Sequence, residues 1–237
     1  MLIRFVIFLV IFAGIQLDFS AQTVHDLLVS AQKKDSIKDF NGAIQDLDRA
    51  LAINHDNDTV FLLHSKINLE RGDSKSALKD VEHVIRHRNK SAEAYFIRGL
   101  IKAKTEHFAG AVKDFTKAIQ YNGKYAKAYC NRGLAYAYLE NFEKAERDFS
   151  VAIQLDSTYS NAWYNRGFWK EVTGNLEAAI PDLEAARSLD PENKNIYLEL
   201  ATVWYRMGKT DKACLELDNA ISKGCEIAND LRSNFCK

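Results

Sequence analysis

Proline and glycine are scarce in this sequence: Pro181 and Pro191 are the only prolines in 237 residues, and there are 11 glycines. That shortage argues for helices joined by short turns. Net charge is absent too. Lysine plus arginine and aspartate plus glutamate each number 32, so no long-range field draws the chain to nucleic acid, and no basic tail or block of like charge occurs. The sequence has no glycine-rich phosphate loop, nucleophile elbow or zinc-protease helix, so no catalytic residue and no cofactor is expected. His83 and His87 stand at metal-ligand spacing on one helix face, but the sequence places no third ligand nearby and no metal site is expected. What the chain does hold is apolar residues, 47% of the total, enough for a substantial core.

Only one long apolar run is present, FVIFLVIFAGI at residues 5–15, preceded by Arg4 and followed by Gln16 and LDFSAQ. A positive start, an apolar stretch of that length and small residues after it predict a secretory signal peptide over residues 1–21, with the mature chain starting near Gln22. The competing reading is a membrane anchor, which needs about 20 apolar residues. Asp18 stands where such a span would have to continue. The signal reading makes the protein periplasmic or secreted, with no membrane insertion after cleavage; the anchor reading tethers it by its N-terminus.

Slid against itself by 34 residues, the sequence aligns in six units without a gap: 24–57, 58–91, 92–125, 126–159, 160–193 and 194–227. With each unit numbered from 1, position 20 is always alanine (Ala43, Ala77, Ala111, Ala145, Ala179, Ala213) and position 24 is always apolar. Position 4 is bulky, from Leu27 through Trp163 to Tyr197, and position 8 is small, from Ala31 through Gly133 and Gly167 to Ala201. Positions 4, 8 and 11 share one stripe of a first helix, and 20, 24 and 27 share one stripe of a second. Small residues at 8 and 20 let the two backbones approach, while bulky groups at 4 and 24 fill the space beside them. After the sixth unit Ile227, Leu231 and Phe235 recur every four residues, predicting a helix over 226–236 whose apolar face covers the last repeat.

This pattern resembles the tetratricopeptide repeat family, with its aromatic at 4, glycine or alanine at 8, alanine at 20, aromatic at 24, alanine at 27 and proline at 32. Residues 160–193, SNAWYNRGFWKEVTGNLEAAIPDLEAARSLDPEN, match it best. The resemblance implies an all-α, right-handed superhelical solenoid of six helix-turn-helix repeats plus a C-terminal capping helix, forming one domain over residues 22–237. It implies a non-catalytic scaffold, of exported bacterial type given the N-terminus, that binds a protein or peptide segment in a concave groove. In that family the stripe opposite 4, 8 and 11, at positions 2, 6, 9 and 13, lines the groove. Here it reads Glu93, Ile97, Leu100, Lys104 in unit three, Lys127, Asn131, Leu134, Tyr138 in unit four, and Asn161, Asn165, Phe168, Val172 in unit five.

Asn131 and Asn165 match the position at which several family members hold a peptide backbone, and an amide can donate and accept at once. In the other reading both amides bond neighbouring helices or water. The family's carboxylate clamp for chaperone tails is missing from the first three units, where Leu28, Gln32, Leu63, Glu93 and Ile97 stand at its positions. Two other occupants stay open: a carbohydrate or small ligand stacked on Tyr138, Trp163 or Phe168, and a second copy of the chain in a homo-oligomer built on the degenerate first units. Trp163 is at core position 4, where its ring should be buried.

Position 7 is arginine in units three to five (Arg98, Arg132, Arg166), where the family usually has leucine, and position 23 is acidic in phase with it (Asp114, Asp148, Asp182). Either each arginine pairs with a carboxylate across packed helices or the arginines form an anion-binding ladder. Among the four cysteines, Cys214 to Cys225 and Cys225 to Cys236 are each about 16 Å apart within one helix, too far to bridge. An antiparallel cap helix would return Cys236 to the level of Cys214; either that pair forms a disulfide or the thiols stay free and buried.

Overall fold

The computed structural model describes residues 23–236, and the expected signal segment 1–21 lies outside them. Among the described residues there are thirteen helices and no strand. They fall into two compact units divided after His83.

The first unit holds α1 (Val24–Ser36), α2 (Phe40–Ile53), α3 (Asp58–Arg71) and the first turns of α4 (Ser74–His87). Its helix starts are chemically marked. Thr23 and Asp26 form a capping box on α1, Asp39 accepts from the Gly42 amide of α2, and Asn57 accepts from the Val60 amide of α3. Its core is Leu27, Ala31, Ala43, Leu47, Ala50, Val60 and Ile67, all fully buried.

The second unit holds α5 (Ala92–Lys104), α6 (Phe108–Tyr121), α7 (Ala126–Tyr138), α8 (Phe142–Leu155), α9 (Ser160–Val172), α10 (Leu176–Leu189), α11 (Lys194–Arg206), α12 (Thr210–Ser222) and α13 (Ile227–Phe235). Helices pack as hairpins, α5 on α6, α7 on α8, α9 on α10 and α11 on α12, and each hairpin stacks on the next. Alanines at positions 20 and 27 and the large residue at 24 are buried throughout, as in Ala145, Ala152 and Phe149. Position 8 closes the hairpins. A Cβ placed on Gly133 would lie 2.9 Å from the Phe149 ring and 3.0 Å from the Ala145 carbonyl oxygen; one on Gly99 would lie 2.6 Å from the Phe115 ring. In the last hairpin position 8 is Ala201, buried in one core with Leu217.

Each of the six hairpin turns drives position 15 into the left-handed region. Gly72, Gly174 and Gly208 take it without a side-chain penalty, but Lys38, Glu106 and Glu140 occupy it too, at φ 63°, 62° and 58°. The cause is the hydrogen bond that ends each first helix, from the amide at 16 to the carbonyl at 11, for example Asn141 to Tyr136 at 2.9 Å. A non-glycine residue there is strained by about 1 kcal/mol. Glu140→Gly should therefore raise stability by about 0.5 kcal/mol after its unfolded-state entropy is counted, read as a rise of 1–2 °C or so in Tm. A fall in Tm would contradict this account of the turn.

The position-7 arginines are fully engaged inside the hairpins. Arg132 Nε and Nη2 donate to Asp148 at 2.8 and 2.9 Å, and its Nη1 donates to Thr116 of the preceding hairpin at 3.1 Å. Arg166 repeats the arrangement with Asp182 at 2.8 and 2.6 Å and Ser150 at 2.9 Å, and Arg98 grips Asp114 at 2.9 and 2.7 Å. These are fork-to-fork pairs of the strong kind. The pairing reading thus holds and the anion ladder falls, since the guanidinium edges of Arg132 and Arg166 are spent on protein oxygens. In the first unit Lys34 serves Asp46 at 2.6 Å and His64 serves Asp80 at 2.8 Å.

The cap differs from the expected pattern in one residue. Ile227 is 66% exposed, and α13 instead turns Ala228, Leu231 and Phe235 inward against Tyr197, Ala201, Leu217 and Ala220. Gly224, at φ 76°, and the buried Cys225 fix the entry of the chain, so the inward stripe starts one residue later. Phe235 stacks on Tyr205 with centroids 3.7 Å apart, and Arg232 pairs with Asp218. The sulfurs of Cys214 and Cys236 are bonded, with Cα atoms 5.8 Å apart.

Candidate functional site

The open face of the second unit is made by its first helices. On α7, Asn131, Leu134 and Tyr138 line a cavity of about 360 Å³ with Ala103, Lys104 and Phe108 of the preceding hairpin. The helical phase puts them there: they are positions 6, 9 and 13, away from the stripe that packs on α8. Lys127, one turn earlier, is exposed, and its carbonyl accepts from Asn131 Nδ2 at 2.8 Å. The same face closes at α5, where Ile97 is fully buried.

On α9, Asn161 is exposed and Asn165 donates to the Cys130 thiol at 3.4 Å. That thiol is buried, which pushes its pKa up to about 11, so it is a poor nucleophile at neutral pH. Each position-6 amide therefore donates one hydrogen bond from its nitrogen within the protein. Phe168 belongs to a continuous aromatic run. Phe108 stacks on Tyr138 (4.6 Å between centroids), Tyr138 meets the edge of Trp169 (5.9 Å), Trp169 meets Phe168 (5.2 Å), and Phe168 faces Tyr164 (6.3 Å). The buried indole N–H of Trp169 finds no acceptor among the described residues. Trp163 stands apart from this run: it is half-buried between hairpin cores and donates to the Ser157 carbonyl at 3.0 Å. Its ring is less buried than position 4 implied because the indole nitrogen reaches that loop carbonyl.

The run ends on groups that the sequence reading did not single out. Tyr164 Oη donates to Glu199 Oε1 at 3.4 Å, and Arg206 binds both the side chain and the carbonyl of the buried Glu171. Glu199 and Arg206 are positions 6 and 13 of the sixth unit, so the same phase rule would have found them had it been carried one repeat further. Burial, and then the charge of Glu171, push the Glu199 carboxyl up to about 7, and the Tyr164 hydroxyl partly offsets this.

That shift has a sign. Between the ordinary carboxylate range and about pH 7 the folded chain holds the Glu199 proton more tightly than the unfolded chain, so stability falls as pH rises through that window. Glu199→Gln should be more stable than the parent by about 1–2 kcal/mol at pH 8, after discounting for solvent screening. It should match the parent near pH 3.5 or so, below both the ordinary and the raised value, where the carboxyl is protonated in both states. Urea titrations at the two pH values test this; an equal difference at both would refute it.

Stacked helical hairpins of one 34-residue period, open along their first helices, define a helical repeat protein. Tetratricopeptide repeat family models match residues 92–125, 126–159 and 173–223, together half of the chain, and the chain belongs to the tetratricopeptide repeat family. Proteins of this family are generally protein-interaction scaffolds. Among solved structures, a tetratricopeptide repeat protein from Parabacteroides merdae is similar at 19% identity and TM-score 0.73, over 94% of this chain and 88% of that one. The Cut9–Hcn1 hetero-tetramer of the APC/C is similar at 13% identity and TM-score 0.84; the match covers 93% of this chain but only 44% of that one. YrrB, described as having an unusual peptide-binding site, is similar at 18% identity and TM-score 0.59, over 79% of this chain and 97% of that one. At these identities the likeness is one of fold. No curated protein matches the sequence. Among the described residues no helix is long and apolar enough to cross a membrane.

Proposed function

We propose that this protein is a non-catalytic scaffold that binds an extended protein or peptide segment along α7, α9 and α11, in the groove containing Leu134, Tyr138 and Phe168. The observation that carries the reading is the cavity beside Asn131, Leu134 and Tyr138, which is open, largely apolar and edged by the Asn131 amide, a group of the kind that pairs with a peptide backbone. Lys127, Asn161 and Asn165 flank it with polar groups suited to a rim. A sugar platform is less well supported, because Phe108 already covers one face of Tyr138 and Trp163 lies outside the aromatic run. Residues 1–21 would export the chain, and N-terminal mass spectrometry of the natural protein should find a start near Gln22.

Selection from a random peptide array tests the groove. Peptides enriched by the parent protein should bind Tyr138→Ala at least ~10-fold more weakly, since an exposed aromatic anchor of the groove is lost, with circular dichroism unchanged. If the selected peptides bind the variant as well as the parent, the groove is elsewhere.

A further inference from the structure

The inward carboxylates of the second unit are nearly all matched by a cation: Asp114 by Arg98, Asp148 by Arg132, Asp182 by Arg166, Glu216 by Arg187 and Glu171 by Arg206. Glu199 is the exception on the open face. Its protein partner is the Tyr164 hydroxyl at 3.4 Å, long for an O–H···O bond. Among the described residues no lysine or arginine pairs with it, and the neighbouring charge is another carboxylate, Glu171. A partly buried, uncompensated carboxylate is costly for the fold. A cation carried by the occupant of the groove would remove that cost, and Tyr164, which bonds Glu199, and Phe168, which faces Tyr164, suit one. Tyr164 and Phe168 lie nearly parallel at 18°, and ring faces attract guanidinium and ammonium groups. A single carboxylate without a counter-ion, next to an aromatic ring, fits a monovalent side chain better than a divalent metal, which gathers several oxygen ligands.

We propose that Glu199, together with Tyr164 and Phe168, forms a subsite for a lysine or arginine side chain of the peptide segment that occupies the groove. The inference rests on the groove reading above and adds the chemistry of the occupant: an apolar side chain for the cavity beside Leu134 and Tyr138, and a basic side chain for the α9–α11 end. Continuity supports the pairing of the two, because Tyr138, Trp169, Phe168 and Tyr164 connect them without a gap.

The test uses an array of random dodecapeptides, acetylated and amidated so that no terminal charge competes. The parent chain should enrich lysine or arginine at one register, and Glu199→Gln should lose that enrichment while keeping its apolar preference. Glu199→Lys should favour aspartate or glutamate at the same register. For one selected peptide, replacing the basic residue by norleucine should weaken binding to the parent about tenfold and binding to Glu199→Gln hardly at all. Circular dichroism checks that both variants keep the parent's helicity. Selected peptides without a basic register, or a basic register untouched by Glu199→Gln, overturn the subsite and leave the groove standing. An array that enriches nothing with the parent chain overturns the groove reading itself, and the subsite with it.

Discussion

Arg132→Leu should lower the unfolding free energy of the 84–237 unit by about 3 kcal/mol, because it strands the Asp148 carboxylate in the hairpin interior without a counter-ion. Asp148 is 7% exposed, and two of its hydrogen bonds come from Arg132. The effect belongs to the broken pair and not to the missing arginine. Arg132→Leu combined with Asp148→Leu should therefore recover most of the loss, since an apolar pair of fitting volume costs little relative to a buried ion pair. The last hairpin already shows how leucine is tolerated at position 7. There Leu200 occupies the site, and the acid at position 23, Glu216, is served at 2.9 Å by Arg187 from the preceding hairpin. Among the described residues no second lysine or arginine pairs with Asp148. Urea unfolding followed by circular dichroism reads the effect; a single variant within about 0.5 kcal/mol of the parent would mean that the ladder is decoration.

The fold was legible because its determinants are local and repeated. Alanine at 20 and 27 and a small residue at 8 state how closely two helices approach, and six in-phase copies leave little room for another reading. The acids at position 23 announced the arginine pairs in the same way. What the sequence hid depends on atoms meeting between repeats. The third bond of Arg132 goes to Thr116, and the aromatic run joins residues at positions 5, 9, 10, 13 and 17 from three units; no single-unit alignment brings them together. Left-handed turns at Lys38, Glu106 and Glu140 were equally invisible, since only glycine advertises that conformation. On the open face the stripe rule placed Asn131, Leu134 and Tyr138 correctly on one wall. It could not say that the amide nitrogens of Asn131 and Asn165 each donate within the protein, because Lys127 O and the Cys130 thiol are chosen by rotamer and packing.

Reduction of the Cys214–Cys236 bond should release α13 from the last hairpin and cost that region about 3 kcal/mol, the loop-closure entropy expected for a cross-link spanning some twenty residues. The remaining ties of α13 are the Phe235–Tyr205 stack, the exposed Arg232–Asp218 pair and the packing of Ala228 and Leu231 on the last hairpin. A nine-residue helix with so few anchors is short of what holds an isolated helix together, so opening should be local. Amide exchange should accelerate over 227–235 and on the face of α12 beneath it, while α7 and α9 stay protected. Cys214→Ser should reproduce the effect without reductant, whereas Cys225→Ser should not, because the Cys225 thiol is free. Alkylation in denaturant should label two cysteines, Cys130 and Cys225, and all four only after reduction. The bond also bears on where the protein works, since a cross-link of this kind persists in oxidising compartments and is lost to cytosolic thiols. An exported chain would keep its cap, and the same chain held in the cytosol would expose Leu217 and Tyr197 at the end of the stack. Equal labelling with and without reductant would remove both the staple and this argument for export.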